Sequence, residues 1–102
     1  MDITTKINDN VLYVSLNGEL DEYSSGYVRE ELDNVFMRSR FNSVVFDMKN
    51  LEFMDSTGIG VLLGRYKTLK SKNKNIYITN TNQTIEKIIK MSGIYQIMPK
   101  IS

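Results

Sequence analysis

The spacing of apolar residues changes along the chain, and each change predicts a different element. From Ile3 to Leu16 apolar residues alternate with others, and Asn8-Asp9-Asn10 interrupts the run, which is typical of a β-hairpin. Beyond Asp21 the apolar residues instead recur at helical spacing, which predicts a helix with Asp21 or Ser24 at its N-cap. The apolar positions of that helix are Val28, Leu32, Val35 and Phe36.

The second half of the chain alternates between short strands and helices. Val44-Val45-Phe46 is β-branched and aromatic, and it predicts a central parallel strand covered on both faces. A helix is predicted from Ser56, a short strand over residues 76–78, and a further helix that Gly93 ends. The stretch from Ile94 to Met98 is predicted as a last strand at a sheet edge, because a proline follows it.

This order of elements predicts an α/β fold. The sheet should be mixed, mostly parallel and of about five strands, should open with a β-hairpin, and should carry about three helices. Residues 1–102 are expected to form a single domain, since no linker or repeat interrupts them. The pattern leaves open whether the helices lie on one face of the sheet or on both.

Composition excludes several classes of chemistry. The chain has 102 residues, a net charge of +1, and neither Cys nor His. Ser-His-Asp catalysis, thiol nucleophiles, disulfides and the usual zinc sites are therefore excluded, and no cofactor is expected. The balanced charge argues against direct nucleic-acid binding, and no apolar run is long enough for a membrane span. A cytoplasmic, monomeric protein is expected.

The segment from Leu51 to Lys67 is placed between a buried strand and a helix, where ligands and partners bind in open α/β sheets. Asp55 and Ser56 are good N-cap residues, while Gly58 and Gly60 each cost about 1 kcal/mol in a helix relative to Ala. Such glycines allow a close approach by a phosphate, a partner backbone or the neighbouring strand. Capping and tight packing alone are one interpretation of the segment; no complete nucleotide-binding motif is present.

A second interpretation is a phosphorylation switch at Ser56. A phosphate at a helix N-terminus meets free N–H groups and a favourable dipole, so the modification need not unfold the protein. The added charge, beside Asp55, would repel a partner that docks there. A serine enzyme is a weaker alternative, because Ser56 would need Lys67 or a carboxylate as its base.

Three segments in this order resemble the STAS-domain anti-sigma factor antagonist family. They are Gly18-Glu19-Leu20-Asp21, the stretch that begins Met54-Asp55-Ser56-Thr57-Gly58-Ile59-Gly60, and Met91-Ser92-Gly93-Ile94. The long match around Ser56 favours the sporulation antagonists of the family. General-stress antagonists and other stand-alone STAS interaction or scaffold proteins stay open as alternatives.

The resemblance implies a non-enzymatic switch. The serine that matches Ser56 is phosphorylated by the anti-sigma factor, which is itself a serine kinase, and a serine phosphatase removes the phosphate. The unphosphorylated antagonist binds the anti-sigma factor and releases the sigma factor. By the same resemblance, the docking residues are Asp21, Asp55, Thr57, Gly58 and Ile59.

Other surface features leave alternatives open. The Asp21 carboxylate suits a partner arginine, or it caps the first helix. Tyr23 and Tyr27 flank it and fit an interface, and packing on the sheet is an equal alternative for Tyr27. The basic run from Lys67 to Lys74 fits a solvated helix end better than a nucleic-acid surface. The family also implies a further amphipathic helix after the last strand, which this sequence does not contain.

Overall fold

The computed structural model describes residues 1–101, and they form five strands, three α-helices and a short 3₁₀ helix. Their order follows the α/β pattern expected from the sequence. The elements are β1 (Asp2–Asn8), β2 (Val11–Leu20), α1 (Ser25–Arg38), β3 (Ser43–Asp47), β4 (Leu51–Met54), α2 (Ser56–Ser71), β5 (Asn75–Thr79), α3 (Gln83–Ser92) and the 3₁₀ helix (Ile94–Gln96).

The sheet is mixed, as predicted. β1 and β2 form the antiparallel hairpin, while β2, β3 and β5 run parallel in the order β1-β2-β3-β5. Asp9 and Asn10 join the hairpin with positive φ angles of 51° and 65°, which match the right-handed twist of the flanking strands. Near its end β2 changes partner: its last residues pair with β4, with a register shift between Gly18 and Glu19.

The three helices pack on one face of this sheet. Alternate strand residues are completely buried there, and they form one apolar core with the inner sides of α1, α2 and α3. Representative strand residues in this core are Leu12, Val14, Phe46 and Ile78. The opposite face has no helix among residues 1–101, yet Val45 is only 4% exposed there because it lies in register between Tyr13 and Tyr77. The prediction that this central strand is covered on both faces is thus confirmed, although by different means on each face.

The predicted strands differ from the structure in two places. Residues Leu51–Met54 form β4, a strand that the sequence pattern did not indicate. The predicted last strand from Ile94 to Met98 is wrong, since Ile94–Gln96 is a 3₁₀ helix. The strand-like pairing comes later: Ile78 donates to the Pro99 carbonyl and accepts from the Ile101 N–H, at the outer edge of β5. Ser102 lies outside the described residues.

Glu86 of α3 binds this C-terminal segment through its side chain. Glu86 accepts hydrogen bonds from Lys100 at 2.7 Å, from the Tyr95 hydroxyl, and from Thr81. The Lys100 ammonium, followed by the Tyr95 hydroxyl, lowers the pKa of Glu86 from 4.5 to about 2. Partial burial and the bond to Glu86 raise the pKa of Tyr95 from 10.0 to about 12. Both shifts favour ionised Glu86 and neutral Tyr95 at neutral pH.

Candidate functional site

The segment singled out in the sequence comprises β4 and most of α2, and its candidate site residues begin where β4 ends beside β2. Leu20 and Met54 are paired in parallel register, so the chain leaves both strands at the same edge of the sheet. After β2 it turns through residues 21–24 into α1, and after β4 it passes through Asp55 into α2. The starts of two helices are therefore adjacent, and the residues between strand and helix form the candidate site.

Asp55 caps α2 and also joins the two helix starts. Its Oδ1 accepts from the Gly58 N–H at 2.9 Å, which is the N-cap contact that the sequence favoured. Its Oδ2 accepts from the Glu22 N–H at 3.2 Å, across to the turn that precedes α1. Both carboxylate oxygens are thus engaged within the protein, and Asp55 acts as a positioning residue for this surface.

Ser56 and Thr57 occupy the first turn of α2 and are both exposed. Neither hydroxyl takes part in a hydrogen bond recorded among residues 1–101, in contrast to the neighbouring Asp55 carboxylate. The first N–H groups of a helix have no carbonyl partner within it and carry the positive end of the helix dipole. A phosphoryl group on Ser56 would therefore be accessible and electrostatically tolerated.

The two glycines of this turn have different surroundings. Gly58 is buried, and a Cβ built on it would lie 2.3 Å from the Leu20 carbonyl oxygen and 2.8 Å from Met54 Cγ. A Cβ on Gly60 would meet nothing within 4 Å. Gly58 therefore allows α2 to start directly against β2, which was one of the alternatives from sequence, and it faces the core. Ile59 is half-buried and packs against the same core.

The turn that carries Asp21 is internally bonded. Asp21 Oδ1 accepts from the N–H groups of Tyr23 and Ser24, both at 3.0 Å, and the Ser24 hydroxyl donates to the Glu19 carbonyl. Ser24 is the N-cap residue of α1 by position, without a side-chain cap of its own. The expectation that Asp21 caps α1 is therefore wrong, because its carboxylate instead holds the turn that precedes the helix. No hydrogen bond of its Oδ2 is recorded in the part of the chain that the structure describes.

The structure adds two carboxylates that sequence reasoning missed. Glu19 at the end of β2 and Glu52 in β4 line one groove with Asp21, Tyr23 and Tyr27. The missed signal was β4 itself, since its pairing with β2 brings Glu52 and Glu19 to the same groove. These acidic residues do not form a cluster suited to a metal ion, as far as residues 1–101 show. No helix in that range has the length and apolar character needed to cross a membrane.

Comparisons with known proteins point to one family. The STAS domain family matches residues 2–102. An anti-sigma F factor antagonist from Paenibacillus polymyxa is 42% identical over 89 residues, covering 87% of this chain and 76% of that protein. An anti-sigma-B factor antagonist from Staphylococcus epidermidis is 32% identical over 99 residues, covering 96% of this chain and 90% of that protein.

Solved structures share the fold at lower identity. The anti-sigma factor antagonist SpoIIAA in its unphosphorylated form superposes with a TM-score of 0.81 at 22% identity, over 99% of this chain and 89% of that one. The phosphorylated form of SpoIIAA, described as a Bacillus cell fate determinant, gives a TM-score of 0.73 at 22% identity, over 99% and 92% of the two chains.

Proposed function

Because the chain belongs to the STAS domain family, we propose that it is an anti-sigma factor antagonist controlled by phosphorylation of Ser56. In the unphosphorylated state it binds an anti-sigma factor that is also a serine kinase, and the sigma factor is released. Phosphorylation by that kinase ends the binding, and a serine phosphatase restores it. The 42% identical relative carries the name anti-sigma F factor antagonist, which supports this function.

The observation that carries the proposal is the contrast between Asp55 and Ser56. Asp55 uses both oxygens to hold the local structure, whereas the Ser56 hydroxyl next to it is exposed at a helix N-terminus. A kinase can reach Ser56 without opening the core, and the helix dipole tolerates the product. The existence of SpoIIAA structures in both phosphorylation states supports the same regulation.

The block on binding follows from charge. A phosphoserine adds about −1.5 to −2 charge at pH 7. Asp55 caps the helix start, and the turn that holds Asp21 and Glu22 is hydrogen-bonded to it, so the phosphate adds to an acidic surface. Burying an unpaired charge in an interface costs several kcal/mol, and each 1.4 kcal/mol is about a tenfold loss of affinity. One phosphate is therefore sufficient to release a partner that covers Ser56.

We assign Asp21 and Thr57 to the docking surface, together with the exposed part of Ile59. Asp21 Oδ1 is committed to its turn, so its remaining oxygen would accept from a partner arginine. Asp55 and Gly58 contribute indirectly in this proposal, because they fix where α2 begins. Docking and local stability are thus separable at Asp21 but combined at Asp55.

A general-stress antagonist is the second candidate. The anti-sigma-B factor antagonist of Staphylococcus epidermidis matches 96% of this chain at 32% identity, compared with 87% at 42% for the anti-sigma F relative. The two candidates share the phosphorylation switch and differ in the partner kinase. Binding measured separately with an anti-sigma F factor and with an anti-sigma-B factor discriminates between them.

The test is to incubate the protein with the anti-sigma factor and ATP, and to follow intact mass and binding affinity. We expect one added phosphate that maps to Ser56. Ser56→Ala should bind constitutively. Ser56→Glu should bind at least tenfold more weakly, since a loss of about 1.4 kcal/mol in binding free energy already lowers the affinity tenfold. Thr57→Ala is the control for the site of phosphorylation, because it removes the adjacent exposed hydroxyl and should still gain one phosphate on Ser56.

Asp21→Asn tests the docking role without disturbing the turn. Asn keeps the Oδ1 acceptor for Tyr23 and Ser24 but loses the charge, so affinity should fall while the melting temperature stays unchanged. A phosphate on another residue, or equal affinity for Ser56→Ala and Ser56→Glu, would contradict the switch.

A further inference from the structure

The outer edge of β1 takes no part in the proposed switch at Ser56. β1 is the last strand on its side of the sheet, and it pairs with β2 along its whole length, from Asp2 to Asn8. Within residues 1–101 no strand pairs with its other side, and all of its residues except the half-buried Ile3 are exposed. An edge of this kind pairs readily with a further strand.

The hairpin turn determines which peptide groups of β1 point outwards. A two-residue turn closes on the pair of residues that flank it, here Asn8 and Val11, and that pair exchanges hydrogen bonds. Because hydrogen-bonded and non-hydrogen-bonded pairs alternate along antiparallel strands, every second residue of β1 bonds to β2, and the peptide groups of the others face away from it. The residues with outward peptide groups are Ile3, Thr5 and Ile7.

The sequence of β1 is complementary to itself in one register. Two copies of the chain related by a two-fold axis would pair their β1 strands antiparallel, with the residue on the axis opposite itself. An axis at Thr4 places Asp2 of each copy opposite Lys6 of the other. Ile3 of each copy then lies opposite Thr5 of the other, and these two exchange their outward hydrogen bonds. The charged pairs are of the non-hydrogen-bonded kind, in which Cα atoms are about 4.5 Å apart and side chains are closest.

Charge selects this register over its neighbours. An axis at Lys6 would bring two lysines together and an axis at Asp2 two aspartates, which is unfavourable for directly opposed residues. An axis at Ile3 or Thr5 would leave both charges without a charged partner, whereas the axis at Thr4 makes two attractive contacts. Asp2 and Lys6 are both exposed, and neither belongs to an ion pair found within residues 1–101. Both charges are therefore available to a second copy.

We propose that this chain forms a weak symmetric dimer, in which the β1 strands of two copies continue one sheet across the two-fold axis. One strand from each copy is a smaller contact than the roughly 800 Å² per partner of a stable interface, so the dimer should form only at high protein concentration. At low concentration the chain remains the monomer expected from its sequence. The contact contains none of the residues assigned to docking, so this inference is independent of the proposed function.

Sedimentation velocity at low salt, over protein concentrations up to about 1 mM, measures the dissociation constant of the dimer. Asp2→Lys and Lys6→Glu each turn both attractive contacts into repulsive ones, so each variant alone should dimerise about tenfold more weakly than wild type, or weaker still. An equimolar mixture of the two variants restores opposite charges at both contacts and should form a heterodimer about as tightly as wild type dimerises. Glu30→Lys and Lys87→Glu are matched charge reversals at exposed helix positions and should leave dimerisation unchanged.

Amide hydrogen exchange distinguishes strand pairing from any other mode of dimerisation. The N–H groups of Ile3 and Thr5 should exchange more slowly as the concentration of wild-type protein rises, because they become hydrogen-bonded only in the dimer. The proposal is wrong if wild type sediments as a monomer up to about 1 mM, or if Asp2→Lys and Lys6→Glu each dimerise like the helix controls. It is equally wrong if exchange at Ile3 and Thr5 does not depend on concentration. None of these outcomes bears on the switch at Ser56.

Discussion

Replacement of Gly58 by alanine should destabilise the protein by a defined local clash. The new Cβ would lie 2.3 Å from the Leu20 carbonyl oxygen, 2.8 Å from Met54 Cγ and 2.9 Å from Leu20 Cγ. The two side chains can adjust, but the carbonyl belongs to the backbone of β2 and cannot. The start of α2 must therefore move away from the sheet.

The magnitude follows from two opposing effects. Inserting a methyl group into a packed core costs about 1–3 kcal/mol, and a clash with backbone belongs at the upper end of that range. Alanine returns about 1 kcal/mol through its higher helix propensity. The shift of α2 also weakens the hydrogen bond from the Asp55 N–H to the Leu20 carbonyl, which is 3.3 Å long. A net loss of about 2 kcal/mol results, with a melting temperature lower by roughly 10 °C.

Gly60→Ala supplies the matched comparison within the same helical turn. Its Cβ meets nothing within 4 Å, so only the helix propensity remains, and stability should rise by about 0.5–1 kcal/mol. Urea unfolding followed by circular dichroism gives the free energy of unfolding for both variants. Changes of the same sign at both positions would refute the reasoning, because only the Cβ surroundings distinguish the two sites.

Two further predictions concern side chains that fix the site and the C-terminal segment. Asp55→Ala should lower the free energy of unfolding by about 1–2 kcal/mol, since it removes the N-cap and the bond to Glu22, and Asp55→Asn, which keeps an acceptor, should lose less in the same urea assay. The pKa of Glu86 falls from 4.5 to about 2 on folding. Its contribution to the free energy of unfolding should therefore be present above pH 4.5 and disappear as the pH falls through 2. The pKa of Tyr95 rises from 10.0 to about 12, so its contribution to the free energy of unfolding should be present below pH 10 and disappear as the pH rises through 12. Melting curves of Glu86→Gln and Tyr95→Phe beside wild type check both windows, and differences that do not change with pH would contradict the assignment.

Periodicity predicted the helices and the hairpin because each helix, and strand β2 of the hairpin, buries one face against a single core. The stripe of Val28, Leu32 and Val35 is completely or almost completely buried, and Gly93 ends α3 with a φ of 78°, as the sequence indicated. β4 was missed because its four residues are buried only at the two ends, a pattern without alternation. The stretch from Ile94 to Met98 was predicted as a strand because it is apolar. In the structure Ile94–Gln96 is a 3₁₀ helix, and Ile94 and Met98 are both buried in the core.

In the candidate site, too, contacts between residues close in the sequence could be predicted, whereas contacts between distant residues could not. The capping role of Asp55 lies within one helical turn, so spacing was enough to predict it. Its second bond, to Glu22, joins residues 33 positions apart and depends on the pairing of β2 with β4. The glycines could not be distinguished by sequence for the same reason, since only the position of Leu20 makes Gly58 necessary.

That long-range pairing also supports the proposed switch, in which a single phosphate would change binding and leave the fold unaltered. Asp55 holds both helix starts through its two oxygens, and Gly58 keeps α2 against β2, so the geometry of the surface is maintained below Ser56. The Ser56 hydroxyl takes no recorded part in this network among residues 1–101, and its modification breaks no contact described there. Charge at Ser56 can thus vary while the docking surface keeps its shape, which is the property that a reversible switch on a small protein requires.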